Sequence, residues 1–99
     1  HLGRFDQGWE VRAGARAAKA KRAPSSYLKN IYYDNMIYRL DTLKYLIGLG
    51  GIDHIMVGTD YPYDLGDWDS AKKVHQLDIS DSDKLLMLEG NAKRLLRIK

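Results

Sequence analysis

The sequence predicts an α/β fold in which two parallel strands are joined by a crossover helix. Three observations predict it. Ile31, Tyr32 and Tyr33 form a β-prone run; Leu40, Leu43, Leu46 and Ile47 keep a helical spacing; and Ile55, Met56 and Val57 form a short apolar run closing on Gly58 and Thr59. The whole unit takes about thirty residues, the length that a right-handed crossover between parallel strands requires.

In chain order, Trp9, Ala13, Ala17 and Ala20 recur at i, i+4, i+8 and i+11 and mark one face of an N-terminal helix, with Arg12, Arg16 and Lys19 on another. Pro24, with Ser25 and Ser26, sets a boundary and opens a short helical turn through Tyr27 and Leu28. The first strand is expected near 31–35, ended by Asp34 and Asn35, which are poor strand residues. Asp41 is the expected N-cap of a helix over 41–49 that Gly48, Gly50 and Gly51 break. The second strand, near 54–59, reads as buried on both faces. After Pro62 fixes the direction of a loop holding Asp64, Gly66 and Asp67, a helix over 69–77 starts at Asp69 or Ser70 and turns Ala71, Val74 and Leu77 inward. Ser80 and Asp83 have capping-box spacing for a helix over 81–89 carrying Leu85, Leu86 and Leu88. Gly90 suits its C′ position, and Asn91 caps a last helix over 91–97 that bears Ala92, Leu95 and Leu96, with Ile98 just beyond it.

At 99 residues the chain holds one small domain at most, and its 44% hydrophobic and 29% charged composition is that of a globular protein, not a disordered one. With no cysteine, disulfides, cysteine-based zinc sites, iron–sulfur clusters and thiol catalysis are excluded, and a cytoplasmic setting fits. The longest apolar stretches fall far short of the roughly 20 residues of a membrane span, so no membrane partner is expected. Charge is uneven. Residues 1–33 hold seven Lys/Arg against Asp6 and Glu10, whereas residues 34–99 are net −2. A basic arm of this kind meets nucleic acid, an anionic substrate or an acidic neighbour. No aromatic residue interleaves its basic run as a single-strand binder needs, which favours a solvated helix face and no nucleic-acid partner.

Two parallel strands cannot cover their own faces or edges. Together with a start at His1 and only internal methionines, this leads us to expect a piece of a longer α/β protein.

The richest stretch for chemistry is Val57-Gly58-Thr59-Asp60-Tyr61-Pro62-Tyr63. It sets a carboxylate just beyond the carboxyl end of a buried parallel strand, where α/β folds hold ligands and (β/α)₈ barrels hold catalytic groups. The competing reading gives Asp60 an Asx turn or a backbone amide to cap. Asp60, Asp64, Asp67 and Asp69 lie within ten residues but lack the alternate spacing of a calcium loop, so Asp69 is assigned to capping the next helix and Asp64 and Asp67 to solvent. Gly48, Gly50 and Gly51 follow a helix instead of joining a strand to one, which excludes a dinucleotide loop. His1, His54 and His75 lack metal-ligand spacing and read as structural or solvated.

Gly3-Arg4-Phe5, Gly8-Trp9-Glu10-Val11-Arg12, Ser26-Tyr27-Leu28, Tyr33-Asp34, the Gly58-Thr59-Asp60-Tyr61-Pro62 stretch and Glu89-Gly90-Asn91-Ala92 with Leu95-Leu96 occur in the order seen in the amidohydrolase-related, aminocarboxymuconate semialdehyde decarboxylase-like family. The chain resembles the C-terminal third of that family along nearly its whole length. The resemblance implies the C-terminal βαβα portion of a (β/α)₈ TIM barrel, with residues 1–24 a basic helical arm and 25–99 the last two strands and closing helices. It implies one divalent metal ion, zinc, whose histidine ligands lie outside this chain and whose aspartate is Asp60, which serves both metal and catalysis. It implies that Arg4 binds a substrate carboxylate across a subunit interface, as its planar two-pronged donor set suits. The competing reading pairs Arg4 with Asp6 or a carbonyl. The Ala/Lys-rich run from Ala13 to Arg22 departs from the family pattern.

The expected function is therefore that of a C-terminal segment of a metal-dependent, non-oxidative decarboxylase, or a sister hydrolase, acting on a small carboxylated substrate as a homodimer or higher homo-oligomer. The isolated 99 residues are expected to be inactive. The alternative is a non-catalytic fragment that self-associates through strand edges or binds through its basic arm.

Overall fold

Two short strands pair in parallel, β1 (Tyr33–Asp34) with β2 (Ile55–Met56), in the register Tyr33 to Ile55 and Asp34 to Met56. The computed structural model describes residues 1–12, 14 and 20–99. These form two compact units, His1–Ile31 and Tyr32–Lys99. None of the helices among the described residues is long and apolar enough to cross a membrane.

In the first unit, α1 spans Leu2–Val11, and Pro24 opens a 3₁₀ helix, Pro24–Asn30, where the sequence expects a helical turn. Proline suits that position because its missing N–H has no helical acceptor to lose. The Asp6 carboxylate on α1 accepts the Ser25 N–H at 2.8 Å and ties the two helices together. The Trp9 indole N–H donates to the Ala20 carbonyl at 3.5 Å, and the Arg22 guanidinium lies over the Tyr27 ring at 4.8 Å. The expected apolar face through Ala13 and Ala17, and the basic face through Arg16 and Lys19, fall outside the described residues.

Bonding to Ser25 holds the Asp6 carboxyl below the usual carboxylate range. A group lowered in the folded state contributes stability above its ordinary pKa and loses it as pH falls through the lowered one. Acidification below the ordinary carboxylate range should therefore release the Ser25 amide. Hydrogen exchange at that amide, corrected for its intrinsic pH dependence, is expected to lose protection over that window in the unsubstituted protein and to lack it throughout in Asp6→Ala.

In the second unit, β1 leads into α2 (Leu40–Gly50), a 3₁₀ turn (Ile52–His54), and then β2. The order strand, helix, parallel strand is the one the sequence predicts. Both strands are shorter than expected, because Ile31 still bonds back to the Leu28 carbonyl and residues 52–54 coil before Ile55 enters the ladder. Asp41 is not the N-cap of α2. Arg39 occupies that position, and Asp41 sits in the first turn, accepting the Thr42 N–H at 2.8 Å. The Arg39 guanidinium grips the Asp41 carboxylate at 3.0 and 2.6 Å and pulls its pKa down to about 2. Gly51 ends α2 with φ 90°, a conformation that glycine adopts without strain.

After β2 come α3 (Ser70–His75), α4 (Asp81–Leu85) and α5 (Asn91–Leu96). Ser80 caps α4 as expected, its hydroxyl accepting the Asp83 N–H at 3.1 Å. Gly90 does not end that helix. Its backbone stays right-handed, and a π-helical turn, Leu86–Gly90, carries α4 directly into α5. The absent Cβ tolerates this, since one at Gly90 would meet Leu86 Cδ2 at 3.1 Å. Leu43, Ile55, Val74, Leu77 and Met87 form the buried core, with Tyr33, Leu40, Leu46, Ile47, Val57 and Leu88 packed around it. Val74 and Leu77 thus point inward as their spacing predicts, whereas Ala71 is exposed.

Candidate active site

The chemistry-bearing residues of the second unit gather beyond the carboxyl ends of β1 and β2. After β1, the Asp34 carboxylate accepts the Met36 N–H at 3.0 Å, an Asx turn that stops the strand. After β2, Gly58 packs so closely on Asp34 that a Cβ there would lie 2.7 Å from the Asp34 Cβ. Asp60 follows two residues later with φ 58°, a left-handed conformation that aspartate tolerates better than most side chains. Its carbonyl accepts the Tyr63 N–H at 2.9 Å, and the Thr59 carbonyl accepts the Asp67 N–H at 2.9 Å. The loop thus closes on itself around Asp60.

Asp60 is exposed, and its carboxylate accepts no hydrogen bond from any described residue, so neither the Asx turn nor the amide cap weighed against a chemical role is formed. A free carboxylate is a hard oxygen donor suited to one position on a divalent cation. It is not a complete set: among the described residues no three His, Cys, Asp or Glu side chains converge to hold a metal ion. His54 bonds Asp53 at 3.0 Å and its ring lies tilted against Tyr32 with centroids 4.7 Å apart, and His75 is exposed. The Tyr61–Pro62 peptide is cis, and the Tyr61 and Trp68 rings meet edge to face at 6.0 Å, both largely exposed, on the loop that follows Asp60.

Asp64 is exposed, as expected, whereas Asp67 and Asp69 differ from expectation. Asp67 is not solvated. It is buried, its Oδ1 accepts the Asp69 N–H at 3.2 Å, and its Oδ2 pairs with the Lys73 ammonium, which also reaches the Ile37 carbonyl at 3.2 Å. Asp69 occupies the N-cap position of α3 but forms no side-chain cap bond and faces Lys72 at 3.8 Å. Burial pushes the Lys73 pKa down, and the Asp67 carboxylate beside it favours the charged form.

Sequence reasoning also missed two buried asparagines. Asn35 reads locally as a strand terminator and Asn91 as a helix cap; both are fully buried, and both clamp β2. The Asn91 side-chain amide donates to the Ile52 and Ile55 carbonyls at 2.9 and 2.8 Å. Asn35 accepts the Gly58 N–H at 3.0 Å. No periodicity marks such residues, whose partners lie 23 to 39 positions away.

Arg4 belongs to the first unit, on α1. It is exposed, and the Asp6 carboxylate of the competing reading bonds Ser25 instead. The guanidinium has no carboxylate partner among the described residues. It lines a cleft of about 700 Å³ with Phe5, Trp9, Val11, Arg12 and Pro24, an apolar lining with two cations.

The model of a family described as amidohydrolase matches residues 1–98. A 2-amino-3-carboxymuconate-6-semialdehyde decarboxylase of Caenorhabditis elegans is 34% identical over 97 residues, covering 97% of this chain and 24% of that protein. One of Dictyostelium discoideum is 28% identical over 96 residues, 96% of this chain and 27% of that protein. Among solved structures, Metarhizium anisopliae IDCase in apo form superposes with a TM-score of 0.75 at 26% identity, over 97% of this chain and 30% of the other. The chain thus spans about a quarter of the length of the curated relatives it matches.

Proposed function

The chain belongs to the amidohydrolase family, and from that premise we propose that it forms the C-terminal βαβα part of a (β/α)₈ barrel decarboxylase of small carboxylated substrates. In this reading residues 1–24 are an arm, and residues 25–99 supply the last two strands and the closing helices. The protein acts in the cytoplasm as a homo-oligomer. The observation that carries the proposal is the Asp60 carboxylate, exposed and engaged by none of the described residues, beyond the carboxyl end of a parallel strand, the end at which such barrels do chemistry.

Asp60 would give one oxygen to a divalent ion, zinc, whose remaining ligands come from outside these 99 residues. When bound, such an ion polarises a substrate oxygen or lowers the pKa of a water. Arg4 would bind a substrate carboxylate with two parallel N–H donors. The similarity to 2-amino-3-carboxymuconate-6-semialdehyde decarboxylases supports carbon dioxide release from a substrate of that kind over hydrolysis.

The direct test supplies that semialdehyde to the complete protein and measures carbon dioxide. Release with a zinc requirement is the expected result, and hydrolysis of a carboxylated substrate without release would replace decarboxylase by hydrolase. Arg4→Ala is expected to raise KM about tenfold or more with a smaller change in kcat, since a charged hydrogen bond contributes about 1.5–3 kcal/mol. Mixing Arg4→Ala with Asp60→Ala should restore part of the activity if the site is shared between subunits, and no rescue would confine it to one. The 99 residues alone are expected to show neither turnover nor stoichiometric zinc, because one carboxylate cannot hold a catalytic ion against water.

A further inference from the structure

Asn35 uses every polar atom it has. Its backbone N–H donates to the Met56 carbonyl at 2.9 Å, its side-chain NH₂ donates to the Ser70 carbonyl at 2.7 Å, and its side-chain oxygen accepts the Gly58 N–H at 3.0 Å. The parallel pairing stops at Asp34 and Met56, so β1 has no backbone acceptor for the Gly58 amide, and the Asn35 side chain takes that place. It therefore ties together the exit of β1, the exit of β2 and the first residue of α3. Gly58 stands two residues before Asp60, and there is no slack on its other side, where Asp34 lies in contact. The remaining supports of the turn, Thr59 to Asp67 and Asp60 to Tyr63, are backbone bonds within the loop itself.

We propose that Asn35 is a positioning residue for Asp60, fixing through the Gly58 amide the point from which the left-handed turn presents its carboxylate. This rests on the reading of Asp60 as a zinc ligand. An asparagine suits the task because it offers both a donor and an acceptor and carries no charge, so full burial costs little once both bonds form. Groups that hydrogen-bond a metal ligand directly typically contribute about 10–100-fold to metal affinity, and Asn35, which acts one step further back through the Gly58 amide, should fall at the lower end of that range.

Asn91 provides the control. It is as deeply buried and clamps the same strand through the Ile52 and Ile55 carbonyls, before β2 and at its start, not at its exit toward Asp60. In the complete protein, Asn35→Ala and Asn91→Ala should both lower the thermal midpoint. Only Asn35→Ala should weaken zinc, about tenfold or more in chelator competition, and speed amide exchange at Gly58. Asn35→Ser, which keeps a polar atom but lacks the reach for both bonds, should move zinc affinity in the same direction if the alanine variant does not fold. Unchanged zinc affinity in a folded Asn35 variant, or an equal loss in Asn91→Ala, would overturn the positioning role. Asp60→Ala run alongside separates the two levels: if it also leaves zinc affinity unchanged, the underlying assignment fails, and if it loses zinc while the Asn35 variants do not, only the positioning role fails.

Discussion

Asp60→Ala in the complete protein is expected to lower kcat/KM by more than about a hundredfold and to reduce zinc content together with it. The floor follows from metal-site behaviour: removing groups that merely orient a ligand costs about 10–100-fold, and removing a ligand costs more. The substitution should leave folding nearly unchanged, which makes it a clean test. Asp60 is exposed and its carboxylate holds no described hydrogen bond, so the folding cost is confined to alanine's poorer tolerance of φ 58°. Zinc measured by elemental analysis, activity, and a denaturant midpoint in one preparation decide the matter. Full activity in a folded Asp60→Ala variant would remove Asp60 from the site.

The largest expected effect on stability is at Asp67. Its side chain is 6% exposed and that of its partner Lys73 is 12% exposed, so the pair is shielded from the water and salt that make surface pairs weak. Asp67→Ala leaves the Lys73 ammonium with the Ile37 carbonyl and the face of the Tyr38 ring but no opposite charge, and breaking a buried pair in this way costs about 3–5 kcal/mol. Two further outcomes identify the cause as an uncompensated charge. Burial lowers the Lys73 pKa, so in the variant the unfolded state binds more protons than the folded one, and stability should rise with pH from the lowered value up to the ordinary lysine range. The double variant Asp67→Ala, Lys73→Met should recover most of the loss at neutral pH, because neither buried charge remains. Urea midpoints of the two variants across pH check both, and equal stability of the single and double variants would exclude the explanation.

Much of the architecture follows from local pattern. Apolar spacing marks α2, the short run at Ile55 marks β2, and their separation fixes a parallel crossover, since those signals reflect which side chains share one helix face or one buried strand. Pro24 and Ser80 act through their immediate neighbours, and both start helices where expected. Asp60 was legible as a candidate from its place beyond an apolar strand, which requires no knowledge of distant partners. The sequence by itself therefore determined the order of elements, the family resemblance and the carboxylate of interest. Only the tertiary structure decided the roles of Asn35, Asp67, Lys73 and Asn91. Each satisfies a backbone group or charge that chain closure brings from another element, so Asn35, Asp67 and Asn91 read as a strand end, a solvated residue and a cap until that closure is known, and nothing local marks Lys73. The same reason joins α4 to α5: glycine at 90 ends a helix when the following chain must turn away, but with Asn91 drawn down onto the Ile52 and Ile55 carbonyls the helix continues through it.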